Sequence, residues 1–144
     1  MPEITEDLRR RLTEKYMLAN TPGYLYRHIA SLPQLQRLSR ESDLRDIVAR
    51  IDTLLSGMEK VEQLIDVYAL IAMLSLKKGP SGAKALRRYT DSELHWVGEY
   101  ALYALRKRIP TSEHKVDVQY RQQFSWHPNS TGATTHQPYV PKIL

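Results

Sequence analysis

His95 and Glu99 stand four positions apart, a spacing that puts an imidazole and a carboxylate on one helical face, where they could act as an acid/base pair. The plainer reading is two neighbours on a helix surface. The one metal-type set is His114, His127 and His136 with Asp117, and the histidine spacings of 13 and 9 match no compact ligand pattern. There is no cysteine, which excludes disulfides, thiolate zinc sites and cysteine nucleophiles. No glycine-rich phosphate loop, nucleophile elbow or recognisable carboxylate pair occurs. A missing motif does not exclude catalysis, and an enzyme would need a concave pocket holding His95 or His28. The reading is nonetheless of a non-catalytic chain with no cofactor, no metal and no small-molecule substrate.

Charge offers a different chemistry. Residues 1–76 hold 10 Lys and Arg against 11 Asp and Glu, whereas residues 77–144 hold 11 against 5, so the whole basic excess lies in the second half. Lys77, Lys78, Lys84, Arg87, Arg88, Arg106, Lys107 and Arg108 would share one edge if the helices carrying them lie side by side and parallel. Such an edge can neutralise phosphates and bind nucleic acid. Cations at helix C-termini also complement the macrodipole and need no ligand. Trp96, Tyr100 and Tyr103, at i, i+4 and i+7, form an aromatic stripe that could stack bases, although packing against a core or a partner explains it better.

From Ile109 onward the texture changes, because Pro110, Pro128, Pro138, Pro141 and Gly132 rule out a continuous helix. Val116, Val118, Tyr120, Phe124 and Trp126 share one parity, the pattern of an extended strand or arm with an apolar edge. Aromatic side chains on an extended segment are natural anchors for docking. Tyr120, Phe124, Trp126 and Tyr139 are therefore the candidate partner-binding residues, on another protein or a second copy, with docking on the chain's own body as the alternative.

The elements that must position these residues read as helices. Ile4, Leu8, Leu12 and Tyr16 predict a first helix to about Asn20; Thr21 and Pro22 start a second, which Pro33 ends or kinks, with a short continuation around Leu35 and Leu38. Leu44, Ile47, Val48, Ile51, Leu54 and Leu55 line one face of a third. Ser56-Gly57-Met58-Glu59 has capping-box spacing and predicts a fourth helix to about Lys78, stopped by Gly79-Pro80. A short fifth follows to Tyr89, and Thr90-Asp91-Ser92-Glu93, a second capping box, opens a sixth from Asp91 to Arg108. The uncharged run Val67–Leu76 is too short to cross a bilayer and reads as a buried core helix.

Tyr68-Ala69-Leu70-Ile71-Ala72 and Tyr100-Ala101-Leu102-Tyr103-Ala104 repeat one small-residue face 32 positions apart. In this the region 43–109 resembles HEAT or armadillo-like helical hairpins, and the resemblance implies a curved binding scaffold and no reaction. The expectation is an all-α chain: a single helical bundle or short helical-repeat domain of about six helices over 1–109, with an extended tail over 110–144. With 42% hydrophobic and 26% charged residues it has the composition of a globular protein. Its opening residues lack a basic or apolar leader, so a cytoplasmic place and no membrane partner are expected. The function expected is a protein-interaction subunit or adaptor docking through its arm, with a nucleic-acid-binding module as the alternative.

Overall fold

The computed structural model describes residues 3–108, and these form seven helices and no strand. They are α1 (Glu6–Leu18), α2 (Pro22–Ala30), α3 (Pro33–Glu41), α4 (Leu44–Ser56), α5 (Val61–Ser75), α6 (Pro80–Arg87) and α7 (Val97–Arg108). The expected extended tail, 110–144, lies outside the described residues.

The sequence of α5 sets the plan. Every residue from Leu64 to Ser75 is buried, and a helix that is apolar on all sides must be surrounded. All six other helices pack against it. Each brings an apolar stripe: Leu8, Leu12 and Tyr16 from α1, Leu25 and Ile29 from α2, Leu35 from α3, Ile47, Ile51 and Leu54 from α4, Leu86 from α6, and Tyr100 and Leu105 from α7. Burying one such large apolar side chain is worth roughly 1.5–3 kcal/mol, so the layer around α5 is the main source of cohesion.

Asp66 is the charged exception within that buried run. Arg9 of α1 donates to both its carboxylate oxygens, at 3.0 and 2.8 Å, in a two-pronged pair that fixes α1 on α5. The same contact raises the Arg9 pKa above its ordinary value. At the other end of α5, the Lys77 ammonium donates to the carbonyl oxygens of Ser39 and Ser42, closing the C-terminal turn of α3. Ser39 in turn donates to the Met73 carbonyl at 2.9 Å.

Three expectations about helix boundaries need correction. The second helix does stop short of Pro33, at Ala30, but the continuation around Leu35 and Leu38 is a separate helix, α3, with Pro33 in its first turn, where its missing N–H costs nothing, so seven helices form rather than about six. Ser56 is no N-cap, because it still belongs to α4 and donates to the Thr53 carbonyl at 2.9 Å. Gln63 does the capping instead, its side-chain oxygen accepting from the backbone N–H of Glu59 (2.6 Å) and Lys60 (2.9 Å). Thr90 is no N-cap either, for it is buried and donates to the Arg87 carbonyl at 2.9 Å, and α7 begins only at Val97.

Removing one partner of a buried ion pair leaves the other uncompensated. Asp66→Ala should lower stability by about 2–3 kcal/mol, because Arg9 keeps part of its hydration. Urea denaturation of the two chains checks this, and a loss under about 0.5 kcal/mol would show that the pair anchors nothing.

Candidate functional site

Titratable and strained groups come together where the chain passes from α6 to α7. Trp96 has φ +62°, the left-handed region that a bulky side chain rarely enters. Two residues on, Gly98 lies so close to the preceding turn that an added Cβ would stand 2.7 Å from the Ser92 carbonyl oxygen and 2.9 Å from that of Thr90. The turn folds back on the helix it launches, and only a residue without a side chain allows that approach.

His95 and Glu99 flank this turn, both half-buried rather than on an open surface as expected. Burial pushes the His95 pKa down from 6.5 to about 4, and burial raises that of Glu99. A charged His–Glu pair would move both groups the other way, so the arrangement favours the uncharged forms. The His95 ring stacks on Trp96 with centroids 4.8 Å apart, and the Tyr68 hydroxyl donates to the His95 carbonyl at 2.6 Å. Trp96 is buried, and its indole N–H has no hydrogen-bond partner among the described residues.

The aromatic stripe of α7 is consumed inside the molecule. Tyr68 and Tyr100, the repeated positions, meet with ring centroids 4.8 Å apart, and the Tyr100 hydroxyl donates to the Tyr68 carbonyl at 2.7 Å. The line of rings continues from Tyr68 to Tyr16 at 5.9 Å, and from Tyr100 to Tyr26 and on to Tyr103 at 5.7 Å each. Packing, rather than a stacking surface for bases, is what Trp96 and Tyr100 provide.

The candidate cations have varied surroundings. Lys77 is committed to α3, and Arg88 pairs with Asp52 at 2.8 Å. Arg87 is half-buried, while Lys78 and Lys84 are exposed on α5's trailing turn and on α6. Arg106 and Lys107 stand 5.0 and 5.3 Å from the centre of the Tyr103 ring, as cation–π partners. Arg108 closes α7. Tyr120, Phe124, Trp126 and Tyr139, like His114, Asp117, His127 and His136, lie outside the described residues. Among the described residues no three His, Cys, Asp or Glu side chains come together as a metal site, and no helix is long and apolar enough to cross a membrane.

Sequence reasoning missed Met17 and Leu18, which are exposed at the end of α1, and Gly23, which touches the Tyr103 ring. A signal existed for the first two: they fall off the stripe of Leu8, Leu12 and Tyr16 yet are apolar.

No protein-family model matches the sequence, and neither curated proteins nor solved structures give a match.

Two outcomes follow for this turn. Gly98→Ala should cost about 2–4 kcal/mol, since the clash is with backbone oxygens that cannot swing away, and thermal unfolding would reveal it. Between pH 6.5 and about 4 the unfolded chain binds a proton at His95 that the folded chain refuses. The contribution of this histidine is therefore complete above 6.5 and falls as pH drops toward 4, by about 2 kcal/mol after allowance for partial solvation. Glu99, with its raised pKa, works in the opposite sense, its contribution fading as pH rises through that value. His95→Gln should flatten the acid side of a urea-midpoint profile; an unchanged slope would assign the loss to other groups.

Proposed function

We propose that this chain is a non-catalytic protein-interaction subunit or adaptor of a larger assembly, whose helical part carries residues 110–144 to a partner. Tyr120, Phe124, Trp126 and Tyr139 are the anchors, and the partner is another protein or a second copy. A cytoplasmic setting belongs to the same proposal.

The observation that supports this reading is the way the helical part uses its own aromatic and titratable groups. The Tyr16–Tyr68–Tyr100–Tyr26–Tyr103 line and the buried Trp96 serve its interior, and His95 and Glu99 favour their uncharged forms there. A body built this way offers a scaffold, and the aromatic residues beyond it in sequence are left for recognition. Nucleic-acid binding through Lys77, Lys78, Lys84, Arg87, Arg88, Arg106, Lys107 and Arg108 is the weaker proposal, because Lys77 and Arg88 are already spent on Ser39 and Asp52.

The test uses the full chain with Phe124→Ser and Trp126→Ser together, beside a chain ending at residue 109. Both should keep the helical circular-dichroism signal and lose association in size-exclusion chromatography and in pull-downs from the native source. Folded variants that associate as the parent does would refute the reading.

A further inference from the structure

Among the described residues every buried apolar side chain except one belongs to a single contiguous core cluster. The exception is Leu102 of α7, which is 1% exposed yet stands outside that cluster. A leucine buried so fully is enclosed by other groups on every side. Its place on the helix shows where they must stand. At about 100° per residue, Leu102 lies about 200° round α7 from Tyr100, whose hydroxyl donates to the Tyr68 carbonyl of α5. Tyr103 turns to Gly23 and Tyr26 of α2. On the α6 side, Ala83, Leu86 and Tyr89 are members of the cluster that Leu102 does not join.

Leu102 therefore points away from α5, sharing its face with Glu99 three positions before it and Arg106 four positions after. Both are half-buried, and burial raises the Glu99 pKa. A helix face in open water would leave all three wet.

The segment that follows α7 in the chain carries the means to cover this face. α7 has 12 residues and is about 18 Å long, whereas residues 109–125 reach about 55 Å when extended, so a chain leaving Arg108 can turn back along the whole helix. Val116, Val118, Tyr120, Phe124 and Trp126 share one parity and can present an apolar edge to it. The tether holds that edge near α7 at an effective concentration in the mM range, well above that of a separate molecule.

We propose that residues 116–126 fold back along α7 of their own chain and cover Leu102, so that a partner taking Phe124 and Trp126 must first displace them from this face. This rests on the arm-docking reading and adds its regulation, since α7 and the partner compete for the same side chains.

The lack of native cysteine makes paired cysteines a clean probe. In the full chain, Glu99→Cys with Ser125→Cys is compared with Arg45→Cys with Ser125→Cys; Arg45 is exposed on α4 and within reach of the same tether in a body of this size. A short bis-maleimide should join the first pair about tenfold faster or more than the second, at a rate independent of protein concentration, and the product should run as a monomer. Leu102→Ser, and separately Phe124→Ser with Trp126→Ser, should bring the first rate to within about threefold of the second. The arm variant leaves α7 untouched, so it answers even where Leu102→Ser alters the circular-dichroism spectrum. Equal rates for the two cysteine pairs overturn the proposal. So does a crosslink that grows with protein concentration and runs as a dimer, which would assign Leu102 to the arm of a second copy. Fast intramolecular crosslinking beside a pull-down that ignores the anchor substitutions would strike the partner reading and keep the fold-back. Equal crosslinking beside an anchor-dependent pull-down would do the reverse.

Discussion

The burial of α5 on every side is the constraint from which the rest of the architecture descends. A helix with no wet face cannot tolerate a polar group without a partner, because an unpaired buried donor or acceptor forfeits its hydration. Each polar group along α5 accordingly dictates a neighbour. Asp66 requires Arg9, which places α1; Ser75 accepts from the Tyr26 hydroxyl at 2.8 Å, which places α2; the Met73 carbonyl takes the Ser39 hydroxyl, which places α3. Apolar burial supplies most of the cohesion, and these few polar contacts choose which helix goes where. That division of labour accounts for a helical body held by side-chain contacts from six directions.

Tyr68 shows how the constraint reaches the α6–α7 turn. Its ring is packed between Tyr16 and Tyr100, its hydroxyl must find an acceptor, and the His95 carbonyl is that acceptor. Fixing this carbonyl fixes the backbone just before Trp96, the residue held in the left-handed region. Strain of that kind persists only where the surroundings over-determine the geometry. Here the surroundings are identifiable: the Tyr68 hydroxyl below, the buried Trp96 ring, and the absent side chain of Gly98. Burial that lowers the His95 pKa and raises that of Glu99 follows from the same packing. The perturbed groups therefore have a structural cause, which removes the usual argument from shifted titration to catalysis.

Much of this was legible in the residues. The stripes Leu8–Leu12–Tyr16 and Ile47–Ile51–Leu54 read directly as buried faces, Thr21 with Pro22 read as a helix start, and the uncharged run from Val67 read as a core helix. The paired Tyr-Ala-Leu faces do meet, through Tyr68 and Tyr100. What misled was capping chemistry. Ser56 and Thr90 each precede an acidic residue by three positions, but a serine or threonine hydroxyl can equally donate backward to a carbonyl of the helix it ends. Both do so, to Thr53 and Arg87, and the local sequence contains nothing that separates the two uses. The left-handed Trp96 was equally hidden, since it is imposed by contacts far along the chain. The candidate anchors from Tyr120 to Tyr139 are not among the described residues, so their reading rests on the sequence.

The distribution of charge carries the argument from fold toward function. In the first half, cations are spent near home: Arg9 on Asp66, and Arg10 and Arg11 on Asp7, whose carboxyl is held down to about 2 chiefly by Gln34 and then by those arginines. In the second half, Lys77 and Arg88 are also spent, on α3 and α4. The eight cations that sequence grouped as one edge are thus divided by their surroundings. Arg106 and Lys107 take a different setting, over the face of the Tyr103 ring, so cations alike in sequence end in unlike environments.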